Sequence, residues 1–475
     1  MKTENKLAGS FKDFGLCDEI LKGVEEAGFR APSPIQQQAI PVIMEGRDVM
    51  ARAQTGTGKT AAFGLPAMNA IARTKGLEVL VITPTRELAS QVSEELYRLG
   101  RYAGIKTVAV YGGQSINRQT DMINRGAQVI TATPGRLLDH LRSGRLKRFS
   151  PRIVVLDEGD EMLDMGFIND IESIFEYLPK ERQTLLFSAT IPGAIKSLAR
   201  RILVNPVSID VTPVEVTPSG IKQLYYVIQE REREEALVRL IDTESPQRAL
   251  IFCRTKRETD RLSTTLISRG YSAKALHGDM TQAHRNEAID AFRKGRVDLL
   301  IATDVAARGL DITDVSHVFN YHVPFDPDSY VHRIGRTGRA GKKGKAITLV
   351  TPLELKELRR IMKVSGEPLS YREIPSIREA RKRYLSGIIK KLEDQPVREE
   401  AAEVLEELSE TMEIHQIATK VLSMLLDRQK VSGPKRLGLN SQEVEQMLYM
   451  LKKQKTARSK RPSRQYGGRR RGYRR

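Results

Sequence analysis

A chain of 475 residues, 40% hydrophobic and 29% charged, is long enough for two or three domains with cores of their own and too long for a single small module. Its two cysteines, Cys17 and Cys253, lie far apart with no Cys or His neighbours at metal spacing, which excludes a disulfide framework and a zinc site and reads both as small buried hydrophobes. The net charge of +19 is concentrated at the end: Lys452–Arg475 holds 12 Lys or Arg and no acid, leaving 66 basic against 59 acidic residues elsewhere, and such a block suits a polyanion such as nucleic acid.

The N-terminal MKTENKLAGS has no apolar segment of the secretory type, and no run of about 18 apolar residues follows, so a cytoplasmic protein without a membrane span is expected. The strand-like Asp48-Val49-Met50 then leads into AQTGTGKT, Ala53 to Thr60, followed by the helix-compatible Ala61 to Ala67. Gly56 and Gly58 permit positive φ, so the amides around Thr55 and Thr57 can curl about a phosphate; Lys59 adds charge and Thr60 a hydroxyl ligand for Mg²⁺. The loop departs from G-x-x-x-x-G-K-T/S at its first position, where Ala53 replaces glycine.

Short β-rich runs then alternate with helical patterns: Glu78–Thr83, Thr107–Tyr111, Gln128–Ala132, Ile153–Asp157 and Thr184–Ser188. That alternation predicts a parallel sheet. Val211–Gly220, VTPVEVTPSG, loses the periodicity and reads as a linker, after which Leu224–Ile228, Ala249–Cys253, Ala273–Leu276, Asp298–Thr303, His317–Asn320 and Lys345–Thr351 give a second strand set. The expected order is an α/β domain over 1–210, a linker over 211–220, a second α/β domain over 221–366, a helical region over 367–451 and a basic tail over 452–475. In open parallel sheets ligands bind beyond the carboxyl ends of the strands, where TPTRELA, ATPGR, DEGD and SAT all fall. Asp157-Glu158 is placed there to hold Mg²⁺ opposite Thr60 and to handle an attacking water.

Taken as a set, these motifs resemble those of the DEAD-box ATP-dependent RNA helicases over about residues 10–365. GFRAPSPIQ, Gly28–Gln36, is similar to the family's Q motif. The resemblance implies two tandem RecA-like domains and assigns Phe11 to stacking on adenine and Gln36 to reading its edge. It places Lys59 on the β- and γ-phosphates, Thr60 and Asp157 on Mg²⁺, and Glu158 on the attacking water. From HRIGRTGRAG it takes Arg336 and Arg339 as arginine fingers, and from ARGLD it takes Gly309 and Asp311 as ribose contacts. Planar cations that cannot deprotonate suit charge spread over several phosphate oxygens.

The same resemblance implies an RNA path over Pro84, Thr85, Arg86, Gly112, Gly113, Thr133, Gly135 and Arg136, continued by Arg254, Gln282, Arg285 and Thr303. Amides, hydroxyls and arginines suit phosphate and sugar, so sequence-tolerant RNA binding is expected. Asp160, Ser188 and Thr190 are expected to couple hydrolysis to RNA. One departure stands inside the signature: Asp157-Glu158-Gly159-Asp160 carries glycine where the family has alanine, which adds backbone freedom and puts coupling, rather than metal binding, in question. The expected activity is RNA-stimulated ATP hydrolysis with local unwinding of short duplexes; the alternatives are an ATP-gated RNA clamp or annealing factor and, further off, a DNA helicase.

Beyond residue 365, Ile377–Leu392, Glu399–Leu426 and Ser441–Leu451 read as amphipathic helices, with Val404, Leu405, Leu408, Met412 and Ile417 as an apolar stripe. Their acid-rich faces argue against RNA binding there, and a loose resemblance to the dimerisation region of bacterial cold-shock and ribosome-assembly members suggests a homodimer and ribosomal RNA or ribosome precursors as targets; the alternative is a helical appendage packed on its own core. The tail, with Tyr466 and Tyr473 among arginines and glycines, is suited to disordered phosphate binding.

Overall fold

The computed structural model describes residues 9–54, 56–74, 78–146, 149–211, 220–307, 312, 315–338, 343–364, 369–393, 395–427 and 433–449. The expected linker, the basic tail, and Thr55, Gly309, Asp311 and Arg339 therefore lie wholly or almost wholly outside the described residues. The chain divides into two units, each built on one sheet.

The first sheet contains β1 (Val49–Arg52), β2 (Val79–Ile82), β3 (Thr107–Val110), β4 (Val129–Ala132), β5 (Ile153–Leu156), β6 (Gln183–Ser188) and β7 (Val207–Asp210). They run parallel in the order β3-β4-β2-β5-β6-β1-β7. The central strands β2, β4 and β5 are apolar or nearly so and buried along their whole length, as a sheet covered by helices on both faces requires. Alternate residues feed two cores. Val79, Val81, Val155 and Phe187 pack with the helices Pro34–Met44, Lys59–Arg73 and Arg86–Gly100, whereas Leu80, Ile82, Val154 and Leu186 pack with Pro134–Arg142, Ile168–Tyr177 and Gly193–Ile202.

The second sheet contains β8 (Ile221–Val227), β9 (Ala249–Cys253), β10 (Ala273–Leu276), β11 (Leu299–Thr303), β12 (His317–Asn320), β13 (Gly344–Val350) and β14 (Ser370–Tyr371), in the order β10-β11-β9-β12-β13-β8-β14 and again parallel. Two edge strands, β7 and β14, escape the sequence reading. In β7 Ile209 is buried between exposed Ser208 and Asp210, so its pattern is that of a half-solvated edge, and β14 is two residues long. Of the cysteines, Cys253 is buried as expected and its thiol is pushed up by burial, but Cys17 is only half-buried at a helix N-terminus.

After β14 the chain packs the helix Ile377–Glu393 on the helix Arg233–Glu244. The buried Arg239 ties this region together by donating to the carbonyl oxygens of Pro375 (3.2 Å) and Pro434 (2.9 Å). Residues 433–449 return to the second unit: Leu439 N donates to Val227 O (2.8 Å), Tyr371 Oη donates to Leu439 O (2.6 Å), and Leu437 and Val444 are buried. Between these anchors the expected single helix is two, Glu399–Ser409 and Ile414–Asp427, with Thr411 Oγ1 bonded back to Leu408 O (3.3 Å) at the break. Acids concentrate on the first of these, whereas Arg378, Arg381, Lys382 and Arg383 are exposed on Ile377–Glu393, so the acid-rich reading holds for only part of the region.

In the second unit His317, with Nε2 3.8 Å away, and Lys345 Nζ, hydrogen-bonded at 2.6 Å, hold Glu244 down at about 2 against the opposing effect of burial. A carboxyl depressed on folding adds stability that is complete above its ordinary value of 4.5 and disappears as pH falls toward 2. Urea denaturation should therefore show Glu244→Gln less stable than the parent at pH 6, with the two midpoints converging as pH is lowered through that window.

Candidate active site

Strand β1 ends by passing Ala53 N to Ser188 O (3.0 Å), so position 53 continues the ladder, and its buried side chain needs no glycine. Gly56 and Gly58 have φ of 84° and 91°, and Gly58 caps the helix Lys59–Arg73. Only glycine adopts this turn without strain. It is held from outside by the segment Ser33–Gln36: Gln36 Nε2 donates to Gly58 O (3.1 Å), Ser33 Oγ donates to Thr57 O (2.8 Å), and Gln36 Oε1 accepts from Ser33 N (2.8 Å). Ser33 was not singled out from the sequence, although S-x-x-Q before an apolar run is a readable capping box. Phe11 is buried in edge contact with Phe14 and Phe29, so it is first a core anchor, and a base contact is confined to the sliver of ring left accessible.

Across the loop, β5 delivers Asp157 and Glu158. Lys59 Nζ forms an ion pair with Glu158 Oε1 at 2.8 Å, and Lys59, Asp157 and Glu158 are all buried. Burial alone would lower the Lys59 pKa, but Glu158 and Asp157 more than offset it and hold the group above its ordinary value. Asp157 is pushed up to about 7, chiefly by burial, with Lys59 opposing. Glu158 has φ 55°, left-handed backbone that is rare for a non-glycine residue and typical of strained functional positions. Thr60 is half-buried one residue beyond Lys59.

One cation facing two buried carboxylates leaves an excess negative charge that a divalent ion would neutralise. Among the described residues no group of three or more His, Cys, Asp or Glu is placed to hold a metal unaided, so an ion beside Asp157 and Thr60 takes further ligands from phosphate or water. The donor set fits Mg²⁺ carried in with a nucleotide.

The expected coupling residues do come together. Asp160 N donates to Ser188 Oγ (2.9 Å), and Asp160 Oδ2 accepts from Thr190 N (2.8 Å) and Thr190 Oγ1 (2.9 Å). A Cβ at Gly159 would lie 3.0 Å from Leu186 Cδ1, a side-chain end that can give by a few tenths of an ångström.

Of the expected RNA path, Pro84 and Thr85 are buried at the start of Arg86–Gly100, where Thr85 Oγ1 caps Leu88 N (3.2 Å). The Arg86 guanidinium lies against the Gly112-Gly113 turn: a Cβ at Gly113 would be 2.6 Å from its Nη1. Thr133 and Gly135 begin Pro134–Arg142, and Arg136 Nη1 donates to Gln114 O (2.9 Å) and to the buried Gln119 (3.2 Å). Gln119 also meets His140, whose pKa burial lowers to about 4.

In the second unit Thr303 pairs in register with Cys253, which sets Arg254 and Thr303 at one sheet edge. Gln282 and Arg285 fall in the first turn of Gln282–Arg293. Arg336 is buried beyond Pro327–Ile334; its neighbour Arg333, which the sequence reading passed over, forms a two-point ion pair with Asp304 (2.6 and 2.7 Å) and donates to Asn320 Oδ1 (3.1 Å).

Residues 33–198 match the DEAD/DEAH box helicase family and residues 232–341 the helicase conserved C-terminal domain. Over 436 residues the chain is 52% identical to the DEAD-box ATP-dependent RNA helicase RhpA of Helicobacter pylori (strain ATCC 700392 / 26695), covering 92% of this chain and 86% of that protein. The chain belongs to the DEAD-box ATP-dependent RNA helicases. This helicase is also 45% identical over 372 residues to CshA of Bacillus subtilis (strain 168), covering 78% and 75% of the two chains. Among solved structures, S. cerevisiae Dbp5 bound to RNA and ADP BeF3 is similar with TM-score 0.70 and 34% identity over 79% of this chain and all of that one. Mss116 bound to ssRNA and UDP-BeF is similar with TM-score 0.69 and 28% identity over 80% and 84%. The two parallel sheets are tandem RecA-like domains, and the enzyme is an RNA-dependent ATPase.

The Gly58 turn gives a sharp test. Alanine there would put Cβ 2.4 Å from Gln36 Nε2 at φ 91°. With strain of about 1–3 kcal/mol, Gly58→Ala should weaken ATP binding about tenfold or more, read by fluorescent-nucleotide titration.

Proposed function

We propose that this DEAD-box enzyme uses ATP to separate short RNA duplexes locally, or to remodel RNA–protein complexes, through the residues described above. The observation that carries the reading is the Asp160–Ser188–Thr190 cluster, which ties the residue two beyond Glu158 to the loop leaving β6. A shift of Glu158 on nucleotide binding is thereby felt at the sheet edge where the RNA motifs lie.

In the proposed reaction Lys59 leaves Glu158 for the β- and γ-phosphates of ATP. Glu158, released from its partner, then orients the attacking water and accepts its proton. Thr60 and Asp157 would hold Mg²⁺, which supplies charge neutralisation at the phosphates. Gln36 and Phe11 are assigned to the adenine side and Arg336 and Arg339 to the γ-phosphate. RNA is proposed to run over Pro84–Arg86, Gly112-Gly113, Thr133–Arg136, Arg254, Gln282, Arg285 and Thr303 by backbone contacts, with the tail 452–475 as a sequence-tolerant tether. Ribosomal RNA or ribosome precursors in the cytoplasm are the proposed targets.

A homodimer through the helical region is supported by exposed Val404, Leu405, Ile414, Val421, Leu422 and Met424 on Glu399–Ser409 and Ile414–Asp427. No described helix is long and apolar enough to cross a membrane.

Glu158→Gln should lower RNA-stimulated kcat about 10²- to 10⁴-fold while ATP still binds. Displacement of a short labelled duplex by the parent enzyme, lost in this variant, separates unwinding from the clamp alternative: a clamp would hold RNA with ATP and displace nothing. Gly159→Ala should change the RNA-stimulated rate without changing nucleotide affinity; an unaltered rate would show that the glycine does not loosen coupling.

A further inference from the structure

Beside Arg254 the second unit buries a cluster of charges that the ATPase chemistry does not use. His322, two residues beyond β12, sits 2.7 Å by Nε2 from Glu258 Oε1 and 3.4 Å by Nδ1 from Glu354 Oε1. The same Glu354 oxygen accepts from Arg254 Nη2 at 3.2 Å, while its other oxygen accepts from Arg233 Nη2 at 2.9 Å. Glu258 Oε2 accepts from Arg254 N at 3.1 Å, Arg254 Nη2 also reaches Val323 O at 3.3 Å, and the guanidinium lies 4.5 Å over the exposed ring of Phe325. Arg233 is completed by Glu230 at 2.7 Å and by the carbonyl of Tyr321. His322, Arg233 and Glu354 have side chains 10%, 3% and 12% exposed, whereas Arg254 is 37% exposed and turned partly to solvent.

We propose that His322 is a positioning residue for RNA: in its charged form it neutralises Glu354 and Glu258 and so leaves the Arg254 guanidinium available to an RNA phosphate. The argument is one of charge balance in a poorly solvated site. The two poorly exposed carboxylates, Glu258 and Glu354, are met by Arg233 and, when it is protonated, by His322, which leaves the more exposed Arg254 as the surplus cation; Glu230 is 69% exposed and screened by solvent, and Arg333, which donates to His322 O at 3.1 Å, is paired with Asp304. With His322 neutral, Glu354 has one cation fewer and draws Arg254 onto itself, so the guanidinium charge is spent inside the cluster and less of it reaches an arriving phosphate. Burial and the charge of Arg233 work against the protonated ring, but Glu258 and Glu354 outweigh them and raise the His322 pKa above 6.5. The charged form is therefore present below that raised value and lost as pH climbs through it, so RNA affinity should fall on the alkaline side. This inference rests on the reading that Arg254 contacts RNA.

The test is binding of a labelled single-stranded oligoribonucleotide to the full chain with a non-hydrolysable ATP analogue, from pH 6 to 8.5, for the parent, His322→Asn, His322→Gln, Arg254→Ala and the His322→Asn/Arg254→Ala double variant. The parent should lose affinity by about threefold to fivefold across that range, the scale of one partly exposed charge interaction. His322→Asn and His322→Gln should start weak and stay flat, with the change in steady-state assays falling in KM for RNA rather than kcat. The double variant should bind like Arg254→Ala alone. A flat parent profile, a parent-like slope in both His322 variants, or additive losses in the double variant would overturn the proposal. Arg254→Ala binding RNA like the parent would instead overturn the reading of Arg254 beneath it.

Discussion

The buried ion pair between Lys59 and Glu158 is the interaction around which the first unit is arranged. Taking an ammonium and a carboxylate out of water costs several kcal/mol each, and their mutual attraction recovers that only with good geometry. Here the geometry depends on three elements at once. The Gly56–Gly58 turn aims the first residue of a helix, β5 ends at Asp157, and Glu158 is held in left-handed backbone. Of these, the Glu158 backbone is the one strained in its own segment. Each is kept by the sheet behind it, where Val154, Val155, Leu185, Leu186 and Phe187 are fully buried. The pair is also incomplete as a charge cluster, because Asp157 adds a second carboxylate without a second cation, and burial raises its pKa for want of one. A site in this condition favours a ligand that brings cationic charge for Asp157 together with anionic charge for Lys59.

Parallel strands account for how that site is wired to the rest of its unit. In a doubly covered parallel sheet every strand ends at the same edge, so loops distant in sequence become neighbours there. β6 is the clearest case, because its last residue and the loop just beyond it serve two neighbours together. Ser188 O accepts from Ala53 at the phosphate loop, Ser188 Oγ accepts from Asp160 beside Glu158, and Thr190 grips the Asp160 carboxylate. The phosphate loop and the Asp160 segment are thus both hydrogen-bonded to the end of β6.

Much of this was legible in the sequence because it is carried by runs whose chemistry allows one solution. Apolar β2, β4 and β5 read as interior strands, and G-T-G-K-T after a strand reads as a phosphate turn once the other motifs are set against the alternative of a plain strand-to-helix turn. Ala53 looked like a defect until its amide proved to continue the strand ladder, a conformation in which alanine is as good as glycine. What stayed hidden depends on contacts between distant residues. Nothing in the sequence says that the other end of the Gln36 amide, beyond its capping-box contact with Ser33, is committed to Gly58, or that Arg136 is engaged with Gln114 and Gln119. The edge strands β7 and β14 were missed for the opposite reason, since pairing on one side leaves only weak constraints on composition. The break between Ser409 and Ile414 was invisible because an apolar stripe at helical spacing continues through it.

The two units handle buried charge in different ways, and the difference follows from what each must do. The first leaves two carboxylates against one lysine, an imbalance that a substrate corrects on arrival. The second, at Arg254, sets two carboxylates, Glu258 and Glu354, against two arginines and a histidine whose charge depends on a single proton. Polar groups this tightly packed are costly wherever a partner is lost, so neither cluster is a tolerant place for substitution. Their tuning ranges differ accordingly. In its proposed role the first cluster would answer to nucleotide, which carries several charges and shifts the balance by a large step, whereas a histidine shared between Glu258 and Glu354 shifts it by one charge. On the proposed assignment of Arg254 to RNA, the smaller step falls where an enzyme that binds and releases RNA in every cycle needs affinity adjusted without being abolished.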